Sequence, residues 1–109
     1  MIPVSLLVPQ PIATHQLARP ELLQLLDDPD AVAAIGEAYL ASSPDPHTVT
    51  SLTSLLERRL GSLRLQALPD AISARVKHDF ATGYTCQLNG WILAETEAMQ
   101  CALFSLTRV

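Results

Sequence analysis

A chain of 109 residues that is 49% hydrophobic, only 17% charged and carries a net charge of −4 makes one domain with an ample core and scarce polar surface. Its seven basic residues are dispersed apart from Arg58-Arg59 and Lys77-His78, so no basic stripe exists to bind phosphates and nucleic acid is excluded as an expected partner. No apolar run approaches the ~20 residues of a membrane span, and Met1 to Val8 lacks a basic flank and stops at Pro9, so no export signal is expected and the predicted compartment is cytoplasmic.

Residues 1–19 contain Pro3, Pro9 and Pro11, each of which removes a backbone donor and biases its predecessor toward extended structure. They read as an extended N-terminal arm, followed by a single helical domain over residues 20–109. The arm's apolar residues, Leu6 and Leu7 among them, need cover, either over the chain's own helices or against a partner. Pro20 at N1 and Glu21 open a short helix through Leu26. Asp28 as N-cap and Pro29 as N1 then start a helix through Ala41, with Val32, Ile35, Ala38 and Tyr39 recurring on one face. Gly36 costs that helix ~1 kcal/mol relative to Ala, so either another backbone approaches closely there or the glycine is simply tolerated.

Ser42 to His47, with two prolines, is a connector, and Thr48 is the N-cap of a third helix. Its stripe is Val49, Leu52, Leu55, Leu56 and Leu60, and Gly61 ends it. Arg58 and Arg59 in its final turn suit the helix macrodipole, or serve an acidic partner surface. After a junction over residues 62–68, Pro69 at N1 and Asp70 begin a fourth helix, with Ile72, Val76 and Phe80 at i, i+4, i+8 and Gly83 as its C′ residue.

Tyr84 to Leu93 is a β-hairpin around Asn89-Gly90, the preferred pair for a type I′ turn because both central residues need positive φ. That turn sets the register: Leu88 opposite Trp91, Gln87 opposite Ile92, Cys86 opposite Leu93. One face then collects Tyr84, Cys86, Leu88, Trp91 and Leu93, and a two-stranded hairpin must lay that face against something. The last helix begins at Ala94 or Glu95, with Glu95 and Glu97 in its first turn where negative charge is favoured. It is apolar nearly all round, as expected of a central helix or of one flank of a larger interface.

Signs of catalysis are missing from this pattern. His15, His47 and His78 share no helical face with a second ligand, so no metal site is expected. His78 and Asp79 are adjacent and point about 100° apart on a helix. Glu95 and Glu97 diverge at i, i+2, and no nucleophile elbow or phosphate-cradling glycine loop occurs. Cys86 and Cys101 read as small core hydrophobes; a bridge between them would need the last helix to fold back over the hairpin. No cofactor is implied.

The run from Asp79 to Ala98 resembles a C-terminal motif of a group of small bacterial helical proteins: Asp-Phe, a Gly, a short strand, Gly-Trp, an aliphatic, Leu-Ser, one variable residue, then Thr-Glu-Ala. Asp79, Phe80, Gly83, Gly90, Trp91, Leu93, Thr96, Glu97 and Ala98 match. The segment Ile35 to Leu40 is similar to the group's second helix, so the likeness covers about the last two thirds of the chain. Two departures stand out: Ala94 replaces the usual serine, removing a side-chain N-cap, and the twin-arginine export signal often found in the group is absent here. The resemblance implies a small accessory subunit or assembly partner of a larger oxidoreductase.

The predicted fold is therefore mostly α, a small irregular bundle of four to five helices with one C-terminal hairpin. The predicted function is a non-enzymatic interaction protein that binds a larger protein, or itself, through apolar surface at Trp91, Ile92, Tyr84, Leu6 and Leu7. The competing expectation is a small-molecule binder or enzyme with a pocket between the last two helices, lined by Phe80, Trp91, Met99 and Phe104.

Overall fold

The structure, a computed structural model, describes residues 14–61, 63 and 67–108. In chain order its elements are α1 (Thr14–Leu17), α2 (Leu22–Leu26), α3 (Pro29–Ser42), α4 (Val49–Leu60), α5 (Leu68–Thr82), β1 (Thr85–Leu88), β2 (Trp91–Ala94) and α6 (Glu95–Thr107). This is the mostly helical bundle with one hairpin that the sequence predicts. The helix starts are fixed locally. Asp28 accepts a hydrogen bond from the Ala31 amide, and Thr48 and Ser51 form a reciprocal capping box, which satisfies amides that have no partner inside the helix.

One boundary differs. The predicted extended arm 1–19 ends, in its described part, in the helical turn α1, whose Leu17 is fully buried. The reason is tertiary. Gln100, itself buried on α6, donates through Nε2 to the Leu17 carbonyl at 3.1 Å, and Thr14 bonds Thr53 of α4 at 3.3 Å between their hydroxyl oxygens. Leu6 and Leu7 lie outside the described residues.

α6 is the central helix, burying Thr96 and every residue from Ala98 to Leu103, with α3, α4 and α5 packed around it. Against α3 the approach is so close that a Cβ on Gly36 would lie 2.1 Å from the Cys101 carbonyl oxygen, the first of the two readings of the glycine in mid-helix. Leu52, Leu56 and Leu60 of α4 are sealed in the core, each contributing about 1.5–3 kcal/mol by removal from water. α5 is turned differently from the expectation set by its apolar row. Ala71 and Asp79 face inward, while Ile72 and Val76 are half-buried and Phe80 is exposed.

The hairpin has the predicted register throughout: Leu88↔Trp91, Gln87↔Ile92, Cys86↔Leu93 and, at its base, Thr85↔Ala94. Asn89 and Gly90 both adopt positive φ, 50° and 83°. The face expected to be sealed is only partly so. Leu88 and Leu93 enter the core and Cys86 is half-buried, but Tyr84 and Trp91 stay exposed. Tyr84 precedes the ladder and lies beside the Arg59 guanidinium instead, 5.9 Å from carbon to ring centre. Trp91 adjoins the exposed turn.

Candidate functional site

The C-terminal motif resolves into a buried polar clamp. Asp79, in the last turn of α5, is completely buried. Its Oδ1 accepts from Arg59 Nη2 at 2.8 Å and Arg75 Nε at 3.0 Å. Its Oδ2 accepts from the Thr96 hydroxyl at 2.6 Å and the Thr96 amide at 3.0 Å. Arg59 Nε in turn donates to the Thr96 hydroxyl at 3.3 Å. A carboxylate taken out of water is tolerable only when its lone pairs are met in this way. Burial pushes the Asp79 carboxyl up, but the two Thr96 hydrogen bonds and the Arg59 guanidinium outweigh it and hold the group below the ordinary carboxylate range.

The clamp fixes the hairpin that lies between its two ends. Just above it, the Tyr84 amide donates to the Asp79 carbonyl at 2.8 Å and the Glu95 amide to the Tyr84 carbonyl at 2.9 Å. At the start of α6 Ala94 offers no side-chain cap, and the Ala94 amide itself donates to Glu97 Oε1 at 3.2 Å. Asp79, Thr96 and Glu97 thus hold both strand bases to two helix ends, and the exposed side chains on the hairpin inherit a fixed orientation. Sequence reading placed Arg59 at a solvated helix end and Asp79 beside His78. The available signals were the Arg75/Asp79 pair at i, i+4 and the presence of Asp79 and Thr96 within one motif.

Of the six large apolar side chains exposed among the described residues, four lie between residues 80 and 92: Phe80 (48%), Tyr84 (56%), Trp91 (41%) and Ile92 (67%). Three of the five residues predicted to bind a partner, Trp91, Ile92 and Tyr84, therefore lie exposed on the clamped hairpin and its entrance, with Trp91 and Ile92, adjacent in β2, on opposite faces of the ladder. The pocket predicted between the last two helices has a different lining from the one expected. A groove of about 750 Å³ runs between the α1–α2 segment, α5 and α6; Phe80 lines it, but Trp91, Met99 and Phe104 do not.

A second, smaller cavity of about 230 Å³ is bounded by Tyr39, Ser42, Cys86 and Glu95. The Tyr39 hydroxyl donates to Glu95 Oε1 at 3.1 Å, and the His47 ring stacks on Tyr39 at 6.0 Å between centres. The groups here are poorly suited to proton or acyl transfer. Burial, reinforced by Glu95, raises the Tyr39 phenol well above its ordinary value. Burial also pushes the Cys86 thiol up to about 11 and that of Cys101 up to about 12, so both stay protonated at neutral pH and are weak nucleophiles. Both cysteines are unpaired. Among the described residues no group of three His, Cys, Asp or Glu side chains is placed to hold a metal, and no helix is long and apolar enough to cross a membrane.

Comparison with protein-family models, curated proteins and solved structures yields no match to this chain.

Proposed function

We propose that this chain is a non-enzymatic interaction protein, a small accessory subunit or assembly partner that holds a larger protein through the hairpin surface. The observation that carries the reading is the solvent exposure of Trp91 and Ile92 on a hairpin pinned from below by a buried carboxylate. Large apolar and aromatic side chains on a well-held backbone are the anchors from which protein interfaces draw most of their affinity, and exposing them on a chain poor in charge favours association. An oxidoreductase as the larger partner is what the resemblance of residues 79–98 adds. A reducing compartment such as the cytoplasm agrees with the two unpaired thiols.

The test pairs sedimentation of the purified chain with affinity capture by wild type and by Ile92→Asp, a substitution at an exposed position that leaves the ladder bonds intact. A stoichiometric partner, or a dimer, that is present with wild type and lost with Ile92→Asp is the expected result. A chain that is monomeric at high concentration and captures the same proteins with or without the substitution overturns the proposal.

A further inference from the structure

The groove beside α2 is distinct from the hairpin surface, and its floor has a chemistry of its own. Pro20 and Leu23 form one wall and Ile72, Val76 and Phe80 the other, enclosing about 750 Å³, a volume in the range of small-molecule sites. The apolar row of α5, of which Ile72 also packs against the core, therefore forms a wall of this groove. Glu97 and Gln100, three residues apart and so on one face of α6, also line it. Gln100 is 1% exposed. Its Nε2 is used on the Leu17 carbonyl, while its Oε1 accepts from no donor among the described residues, an unusual state for a buried amide oxygen.

Glu97 is half-buried, accepts only the Ala94 amide on Oε1, and has no ion-pair partner among the described residues. The charged groups around it are Glu21 before α2, Asp79 on α5, and Arg19 and Lys77, which are exposed on the groove's lining. Burial pushes the Glu97 carboxyl upward, the Ala94 amide bond offsets part of this, and the like charges of Glu21 and Asp79 add to the rise. The floor therefore offers a carboxylate oxygen and an amide oxygen, both acceptors and both short of donors, at the base of apolar walls.

We propose that this groove binds a small apolar molecule bearing a protonated primary amine, with the ammonium donating to Glu97 and Gln100 and the hydrocarbon portion lying along Ile72, Val76 and Phe80. An ammonium supplies three donors and the charge that Glu97 lacks. An alcohol supplies one donor and no charge, and an anion is repelled by the floor. The groove does not include the exposed hairpin residues Tyr84, Trp91 and Ile92, and Glu97 is shared only through the Ala94 amide, so the amine can be tested separately from the partner proposal.

The test is isothermal titration of the full chain at neutral pH with n-hexylamine, hexan-1-ol and hexanoate. Saturable one-to-one binding of hexylamine is expected, with hexanoate weaker by about tenfold or more, the scale of one charge-assisted hydrogen bond. Glu97→Gln keeps an oxygen for the Ala94 amide and removes the charge; it should weaken hexylamine by about tenfold and hexan-1-ol by much less. Val76→Trp, which fills the groove from its half-buried wall, should abolish hexylamine binding with the circular-dichroism spectrum retained. Absence of saturable hexylamine binding, hexanoate binding as tightly as the amine, or normal hexylamine binding by folded Glu97→Gln or Val76→Trp overturns the inference.

Discussion

Against α3, helix α6 packs backbone to backbone, with Gly36 leaving no room for a side chain beside the Cys101 carbonyl and the Ala102 Cα. Against α4 and α5, the same helix is held at its N-terminus by one carboxylate that takes four hydrogen bonds, two of them from arginines. The first contact works through dispersion between close-packed atoms, so it is indifferent to charge and sensitive to volume. The second works through directional, charge-assisted bonds in a dry site, so it tolerates little loss of a partner. The difference explains the division of labour along α6. Its middle is locked in depth by shape, while its first turn, from which the hairpin hangs, is locked in orientation by polarity.

Removing the carboxylate is the severest way to break the polar side of this comparison. Asp79→Ala leaves Arg59, Arg75 and Thr96 without their shared acceptor, and a loss of about 3–5 kcal/mol is expected in urea denaturation. On the close-packed side, Gly36→Ala places a methyl group against the α6 backbone. The helices must separate, and a loss of about 1–3 kcal/mol is expected by the same measurement despite the better helix propensity of alanine. If Gly36→Ala is instead stabilising, the close approach of α3 and α6 is wrong. Thr96→Val keeps the amide bond to Asp79 and deletes the hydroxyl that both donates to Asp79 and accepts from Arg59; a loss of about 1–2 kcal/mol sharpens the apportioning of the clamp.

A pH series gives the smallest and most selective effect. The Asp79 carboxyl is held below its unfolded value. Its contribution is therefore complete above the unfolded value of about 4 and is lost as pH falls through the lower, folded value. The stability gap between wild type and Asp79→Asn should narrow on that acid side, while the gap for Gly36→Ala stays flat. Parallel acid dependence in the two variants would show that the contacts are not of different kinds.

How much of this is legible in residues depends on the range of the interaction. The hairpin register follows from Asn89-Gly90 because a two-residue turn fixes the pairing by itself. Asp28, Thr48 and Gly83 mark helix ends through bonds that span a few residues. Gly36 left open whether a neighbour came close, and which. The role of α5 was hidden, because the helix offers two candidate rows. Ile72, Val76 and Phe80 look like the core face, yet the row of Ala71, Arg75 and Asp79 turns inward once Arg59 and Thr96 are there to meet the carboxylate. The exposure of Tyr84 and Trp91 was hidden for the same reason: alternation says which side of a strand a residue faces, not whether that side is covered.

By itself, then, the order of amino acids determined the helices after residue 19, the turn, the pairing of the strands and the scarcity of charge, since these rest on neighbours in the chain. Only the tertiary structure decided that Asp79 is the clamp, that α5 lends its apolar row to a groove, and that Gln100 reaches the Leu17 carbonyl beside it. Those outcomes join residues up to 83 positions apart, and burial and hydrogen-bond satisfaction across such distances are settled by the packed whole rather than by any local preference.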